Sequence, residues 1–289
     1  MQKSFQGARI LLVHAHPDDE TINNGATMAM YAALGAQVTL ITCTRGEEGE
    51  VLVPELAHIA AAEQDQLGAH REIELADAMA ALGISDFRFL GAPRVSYRDS
   101  GMMGTAPNDR PDVFWQADLG HASDLLVEII EEIQPHVLIT YDEIGGYGHP
   151  DHIQAHRVAM EAAGKSRWKI PKIYWNTMPK SVIADGIEKM KALGSDFFGA
   201  ESADDLPFAK DDESVTTLID ANEYVQAKMD AMAAHKTQIA LDGPFFALSN
   251  NIGLQVWGNE YYTLVHGQVH EPFDKDGRET DLLAGIDFK

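Results

Sequence analysis

A single cysteine, Cys43, stands in 289 residues, which excludes an internal disulfide and fits a reducing compartment such as the cytoplasm. It lies within the strand-like QVTLITCT (37–44), where a small buried apolar residue is preferred over a nucleophile. Basic charge is scarce: 22 Lys and Arg against 45 Asp and Glu leave a net charge of −23. Such a field repels phosphate backbones and anionic lipid heads, so neither nucleic acid nor a membrane surface is an expected partner. No run of about 18 apolar residues occurs, and MQKSFQGARILLV (1–13) lacks the apolar core and cleavage site of a signal peptide. The phosphate-cradling patterns GxxxxGK[ST] and GxGxxG are also missing. What remains, 45% apolar and 23% charged residues, is the composition of a globular protein with a sizeable core.

The first half alternates strand and helix signals. ARILLVHAH (8–16), QVTLITCT (37–44), FRFLG (87–91) and HVLITYD (136–142) read as strands. Helices are expected over 23–35, over a long region 56–83 ended by Gly83, and over 124–134 before Pro135. This rhythm implies βαβ units: a Rossmann-like, doubly wound, mostly parallel α/β sheet with helices on both faces. The second half is less regular, with strands expected at 172–178, 216–220 and 260–265 and helices near 180–193 and 221–238. No repeat or linker divides the chain, so residues 1–289 are read as one domain. Residues 1–165 form its core and 166–289 a C-terminal elaboration shaping the pocket. Residues 92–118 lack periodicity over a length typical of active-site walls.

Two motifs break the apolar pattern. HAHPDDE (14–20) follows the first strand and GGYGHPDH (145–152) the fourth. Ligands bind at the carboxyl ends of strands in such sheets, so central parallel strands bring both motifs to one edge. His14, His16, Asp18, Asp19 and Glu20 then meet Tyr147, His149, Asp151 and His152. Imidazoles and carboxylates in one crevice form the ligand set of a catalytic zinc, which leaves a position for water. His16 and Asp19 are three apart, as are His149 and His152, and Pro17 and Pro150 each suit a first helical position. The competing reading, helix capping, suits one such cluster but not two with more ligands than caps require. His14 is read as a hydrogen-bonded core residue, and the histidines outside the clusters, His235 among them, as structural or solvated. Spacing alone leaves open which three residues hold a metal.

The pair HAHPDDE and GGYGHPDH resembles the GlcNAc-phosphatidylinositol de-N-acetylase (PIG-L, LmbE-like) family of zinc-dependent deacetylases. NNGAT (23–27), TCTRGEEGEV (42–51), DQLGAHR (65–71), YRDSGMMGT (97–105), AAHKTQ (233–238), ALSNN (247–251) and ETDLLAG (279–285) extend the resemblance. Together they are similar to the branch acting on N-acetylglucosaminyl-inositol in mycothiol biosynthesis. The resemblance implies one Zn2+ held by His16, Asp19 and His152, with Fe2+ or Co2+ as substitutes. It implies Asp18 as general base, His149 and Tyr147 facing the developing oxyanion, and Asp151 orienting His149. It also implies Arg71 and Asp99 as hydrogen-bond partners of the sugar and inositol hydroxyls. Without it, Arg71 reads as a surface residue and Asp99 as a turn aspartate.

The implied reaction is hydrolysis of an N-acetyl group on a small amino-sugar–inositol. The related amidase of mycothiol S-conjugates is expected to carry a lysine soon after HPDDE, where this chain has TINNGATMAMYAALG. A non-enzymatic sugar binder is expected to lack a base or ligand, and none is missing. Metallophosphoesterase sites need a second metal and more carboxylates. Glu20 and His14 receive no role.

Overall fold

The computed structural model describes residues 4–192, 194, 199–240 and 258–288. The apolar run RILLVH forms β1 (Arg9–His14), which leads through α1 (Asp19–Ala33) to the parallel strand β2 (Gln37–Thr42). α2 (Leu67–Leu82) and β3 (Asp86–Phe89) extend the sheet outward. α3 (Leu119–Ile133) then carries the chain back to β4 (Val137–Thr140), on the opposite side of β1. A one-turn helix, α4 (Gly145–Gly148), precedes α5 (Pro150–Lys165) and β5 (Lys172–Pro179). α6 (Lys180–Ala192), β6 (Ala209–Lys210), β7 (Thr217–Asp220), α7 (Val225–Ala234) and β8 (Asn259–His266) follow.

The strand order is β3-β2-β1-β4-β5-β8-β7, with β6 paired to the end of β5. β1 to β5 run parallel, while β8 is antiparallel to both β5 and β7. The expected mostly parallel, doubly wound sheet is therefore present, and the C-terminal strands continue it through β5. Residues of β1 alternate between two cores, as a two-residue period requires. Ile10 and Leu12 pack with Leu40, Val137, Met28 and Leu75 on the α1–α2 side. Leu11 and Val13 pack with Ile41, Leu138, Leu126 and Val158 on the α3–α5 side. Leu11, Leu12 and Val13 are fully buried, each contributing about 1.5–3 kcal/mol of apolar burial.

Several boundaries differ from expectation. The helix expected from 56 starts only at Leu67; Pro54–Ile59 form a separate 3-10 turn. Asp65 adopts φ 53° between them, and its carboxylate accepts two bonds from Arg98, at 2.7 and 2.9 Å. That ion pair ties the break between the two helical segments to the 92–118 segment. Gly83 ends α2 in the left-handed conformation, as its position after the last apolar residue suggests. α1 begins at Asp19, so Pro17 lies before the helix, whereas Pro150 does open α5. Cys43 is buried, and burial pushes its thiol well above the ordinary range, which leaves it unreactive. ALSNN (247–251) lies outside the described residues. Among the described residues no helix is long and apolar enough to cross a membrane.

Candidate metal centre

β1 and β4 are neighbours, and the chain departs from them in opposite directions across the sheet. Their carboxyl ends therefore flank the crevice at the topological switch point. His16 sits in the turn after β1, Asp18 is the N-cap of α1, and Asp19 is its first residue. After β4, Gly145, Gly146 and Gly148 all take positive φ (65°, 72° and 91°). A Cβ on Gly145 would lie 2.7 Å from His152 Cβ and 2.8 Å from Ile153 N. Glycine there lets α4 fold onto α5, and the close approach brings the Gly145 carbonyl to His152 Nδ1 at 3.2 Å.

Four side-chain atoms of three residues converge. His16 Nδ1 lies 3.3 Å from Asp19 Oδ2, Asp19 Oδ1 3.4 Å from His152 Nε2, and His152 Nε2 3.3 Å from His16 Nδ1. The imidazole–imidazole distance matches the edge of about 3.3–3.4 Å that a tetrahedral ion with bonds of about 2.0–2.1 Å requires, and each imidazole has its own oxygen of Asp19 at a similar distance. The hydrogen-bond partners also set the tautomers. A carbonyl only accepts, so His152 carries its proton on Nδ1 and presents a lone pair at Nε2. His16 Nε2 meets Asp151 Oδ2 at 3.2 Å, so its proton sits there and Nδ1 is free to ligate. This donor set fits a metal ion.

Two other triads converge within 4.8 Å: His16, His149 and His152, and His16, Asp99 and Asp151. In the first, the neutral His149 ring has no free lone pair, and in the second both carboxylates are held by backbone or hydroxyl donors. His149 Nδ1 accepts from the Asp151 backbone N–H at 3.2 Å, so in the neutral ring Nε2 bears the proton. Asp151 Oδ2 accepts from Ser100 N at 2.8 Å and Oδ1 from the Ser100 hydroxyl. Asp99 Oδ1 accepts from Gly101 N at 2.8 Å and Oδ2 from Glu48 N at 3.2 Å. Asp99 Oδ1 stands 3.6 Å from His16 Nε2.

Asp18 lies beside the triad with φ 120°, a conformation that costs a non-glycine residue about 1–3 kcal/mol. Burial pushes its carboxyl up to about 6, against the opposing pull of the Arg71 guanidinium. Burial, and then the neighbouring His16 and His152 rings, push His149 down to about 2, so it stays neutral. The exposed Tyr147 ring stands edge-on to His152, with centroids 5.0 Å apart.

One expectation is corrected, and two alternative readings fall. The Asp151 carboxylate faces His16 and Ser100; only its backbone N–H meets His149. As the second residue of α5 it projects toward the β1 turn rather than back onto the N-cap. Arg71 is not a surface residue: it is 2% exposed and donates to Gly46 O at 2.8 Å, to Pro17 O and to Asp18 Oδ2 at 3.1 Å. Its Nε has no partner among the described residues. Asp99 is likewise buried rather than a free turn residue. His14 is buried with Nε2 2.8 Å from Asn24 Oδ1, as a core histidine. The sequence reading missed Ser100, although it adjoins Asp99 in YRDSGMMGT. It also missed Tyr141, whose ring stacks on His152 at 4.3 Å and whose hydroxyl accepts from Ala15 N.

The family model described as GlcNAc-PI de-N-acetylase matches residues 11–163, which contain both motifs and the whole triad. The chain belongs to that family. It is 56% identical over 280 residues to a protein of Acidothermus cellulolyticus, covering 96% of this chain and 95% of the relative. It is 57% identical over 291 residues to one of Geodermatophilus obscurus, covering 96% and 98%. Both relatives are named 1D-myo-inositol 2-acetamido-2-deoxy-alpha-D-glucopyranoside deacetylase. Among solved structures, the 4-carboxy-2-hydroxymuconate hydratase of Pseudomonas putida KT2440 superposes with TM-score 0.57 at 18% identity, over 92% of this chain and 100% of that one. A hydratase on this scaffold shows that the fold alone does not select the reaction.

Proposed function

We propose that the chain is a metal-dependent amidohydrolase that removes the acetyl group of 1D-myo-inositol 2-acetamido-2-deoxy-alpha-D-glucopyranoside, giving acetate and the free amine. The relatives that bear this name share more than half their residues with the chain over nearly its full length. The observation that carries the reading is the meeting of His16, Asp19 and His152, with contacts of 3.3–3.4 Å between their ring nitrogens and carboxylate oxygens, and a raised carboxyl, Asp18, beside them. Zinc is the ion proposed there, with iron(II) or cobalt(II) as substitutes. When bound, it supplies Lewis acidity toward the acetyl carbonyl and acidifies water.

The chain's own residues do the rest. Asp18 Oδ2 is tied to Arg71, while Oδ1 has no hydrogen bond among the described residues. That free oxygen takes the proton of the attacking water and returns it to the leaving nitrogen. His149, neutral with its proton on Nε2, donates to the oxyanion rather than acting as the acid, and the Tyr147 hydroxyl is the second donor. Asp151 holds His16 in the ligating tautomer. Asp99 and Arg71 are assigned to the substrate hydroxyls. The whole chain is proposed to act as one catalytic domain on a small-molecule substrate, in the cytoplasm, the setting the single-cysteine composition suggests.

The test is acetate release from the N-acetylglucosaminyl-inositol against cleavage of a mycothiol S-conjugate, each with and without chelator. The expected result is chelator-sensitive acetate release and a preference for the first substrate. Preference for the conjugate, or indifference to chelation, would overturn the proposal.

A further inference from the structure

AAHKTQ (233–238) lies more than 210 residues from HPDDE, and the chemistry proposed above gives it no task. His235 and Glu20 are both fully buried, and His235 Nε2 meets Glu20 Oε1 at 3.0 Å. The other Glu20 oxygen, Oε2, accepts from the Asp18 backbone N–H at 3.0 Å. The Asp18 carbonyl accepts from Thr21 N and Ile22 N, both at 3.0 Å. With Oδ2 on Arg71, Asp18 is gripped at its N–H, its carbonyl and one carboxylate oxygen, in a backbone conformation that L-residues rarely adopt.

The same turn also reaches the arginine side of the grip. Thr237 donates from N (2.9 Å) and Oγ1 (2.7 Å) to Glu74, one helical turn after Arg71 on α2. Leu52 N donates to Thr237 O at 2.9 Å, and Gln238 Nε2 to Glu50 O at 2.9 Å. Those bonds tether the 46–52 loop, whose Gly46 carbonyl accepts from Arg71 and whose Glu48 N–H donates to Asp99.

We infer that His235 and Glu20 are a positioning pair that holds the Asp18 backbone, and hence its free carboxylate oxygen, in the orientation proton transfer requires. This rests on the role proposed for Asp18. A stability-only ion pair of the same residues would affect folding without a selective effect on turnover. The pair reads the backbone of Asp18 through one oxygen, so a side chain that keeps an acceptor there should suffice. Glutamine at 20 keeps that acceptor, and glutamine at 235 places an amide N–H where the imidazole Nε2 stood.

The experiment compares Glu20→Ala, Glu20→Gln, His235→Ala and His235→Gln by kcat, KM, metal per chain, thermal midpoint and exchange of the Asp18 amide. Both alanine variants are expected to lose about ten- to a hundredfold in kcat, with KM and metal content unchanged, because a displaced catalytic group costs that much. The glutamine variants should recover most of kcat, and the Asp18 amide should exchange faster in the alanine variants only. If His235→Ala is too unstable to purify, Glu20→Ala against Glu20→Gln carries the same comparison. Folded, loaded alanine variants with wild-type kcat and wild-type exchange at Asp18 overturn the inference, as do glutamine variants that fall as far as alanine. Amide exchange needs no substrate. If the wild-type chain released no acetate, the proposed reaction would fall while exchange at Asp18 would still decide whether the pair holds that residue.

Discussion

Replacing Asp151 by asparagine separates two roles that one carboxylate could play at this centre. The side chain is fully buried, with Oδ2 accepting from His16 Nε2 at 3.2 Å and from Ser100 N at 2.8 Å. An amide oxygen in the Oδ2 position keeps both bonds. The amide nitrogen then meets the Ser100 hydroxyl, which already accepts from Trp115 N at 2.9 Å and has a second lone pair to offer. Shape and hydrogen-bond count are therefore nearly conserved, and the main loss is charge. A charge-assisted bond of about 1.5–3 kcal/mol becomes a neutral one of about 0.5–1.5 kcal/mol. His16 becomes a weaker base, and the metal dissociation constant should rise about ten- to a hundredfold, or about 1.4–2.7 kcal/mol. Competition against a chromogenic chelator measures this directly. The alternative, in which the carboxylate serves His149, predicts unchanged metal affinity and a fall in kcat alone. A dissociation constant within about twofold of wild type would refute the His16 assignment, since outer-shell partners of metal-bound histidines are worth at least about tenfold.

Asp18→Ala should retain its metal and lose at least about two orders of magnitude in turnover; near-normal acetate release would remove Asp18 from proton transfer. His152→Ala should lose zinc on dialysis, and unchanged zinc by elemental analysis would refute its place in the triad. Gly46→Ala puts a Cβ 1.9 Å from Arg71 Nη1 at a residue with φ +67°. Urea unfolding should show a loss of about 1–3 kcal/mol or more, and wild-type stability would show that Arg71 does not occupy that position. His149 has a depressed folded-state value of about 2, and a bound cation pushes it the same way. Its ring resonances should therefore stay flat between about pH 5 and 8, around the usual histidine value of about 6.5. Below that value the unfolded chain takes up a proton that the folded site refuses, so this contribution to stability declines as pH falls toward 2. A His149 titration midpoint near neutrality would show that its ring is not confined among His16 and His152.

The central sheet and the meeting of the two motifs were legible because both follow from local pattern. A run such as RILLVH, buried on both faces, reads as a central parallel strand, and charge at its end marks the ligand-binding edge. Helix 56–83 was misread because its alanine-rich composition is helical, while Asp65, at the break, pairs with Arg98, 33 residues away. The targets of Asp151 and Arg71 were illegible for a related reason. Sequence shows that a carboxylate adjoins a histidine, but the entry geometry of α5 decides which imidazole it meets. Burial of Arg71 depends on Gly46 yielding space 25 residues away, which no periodicity encodes. His235 could have been found only by asking what neutralises Glu20, a question that arises once Glu20 is known to be fully buried.

Three consecutive acids after one strand look redundant until the start of α1 is considered. Successive residues at a helix start point in different directions, so Asp18, Asp19 and Glu20 address different neighbours. Asp19 meets two imidazoles, which hold its carboxyl well below the usual range despite burial. Asp18, one residue earlier, is raised to about 6 by burial, against the pull of Arg71 and with a push from the adjacent Asp19 charge. Adjacent carboxyls with such separated proton affinities divide the labour without further machinery: one stays charged and suits a cation, while the other can gain and release a proton near neutrality. Glu20 turns away from both and spends its charge on His235 and on the Asp18 backbone. The price of the arrangement is the strained φ of Asp18, and the groups that hold that strain come from four separate parts of the chain.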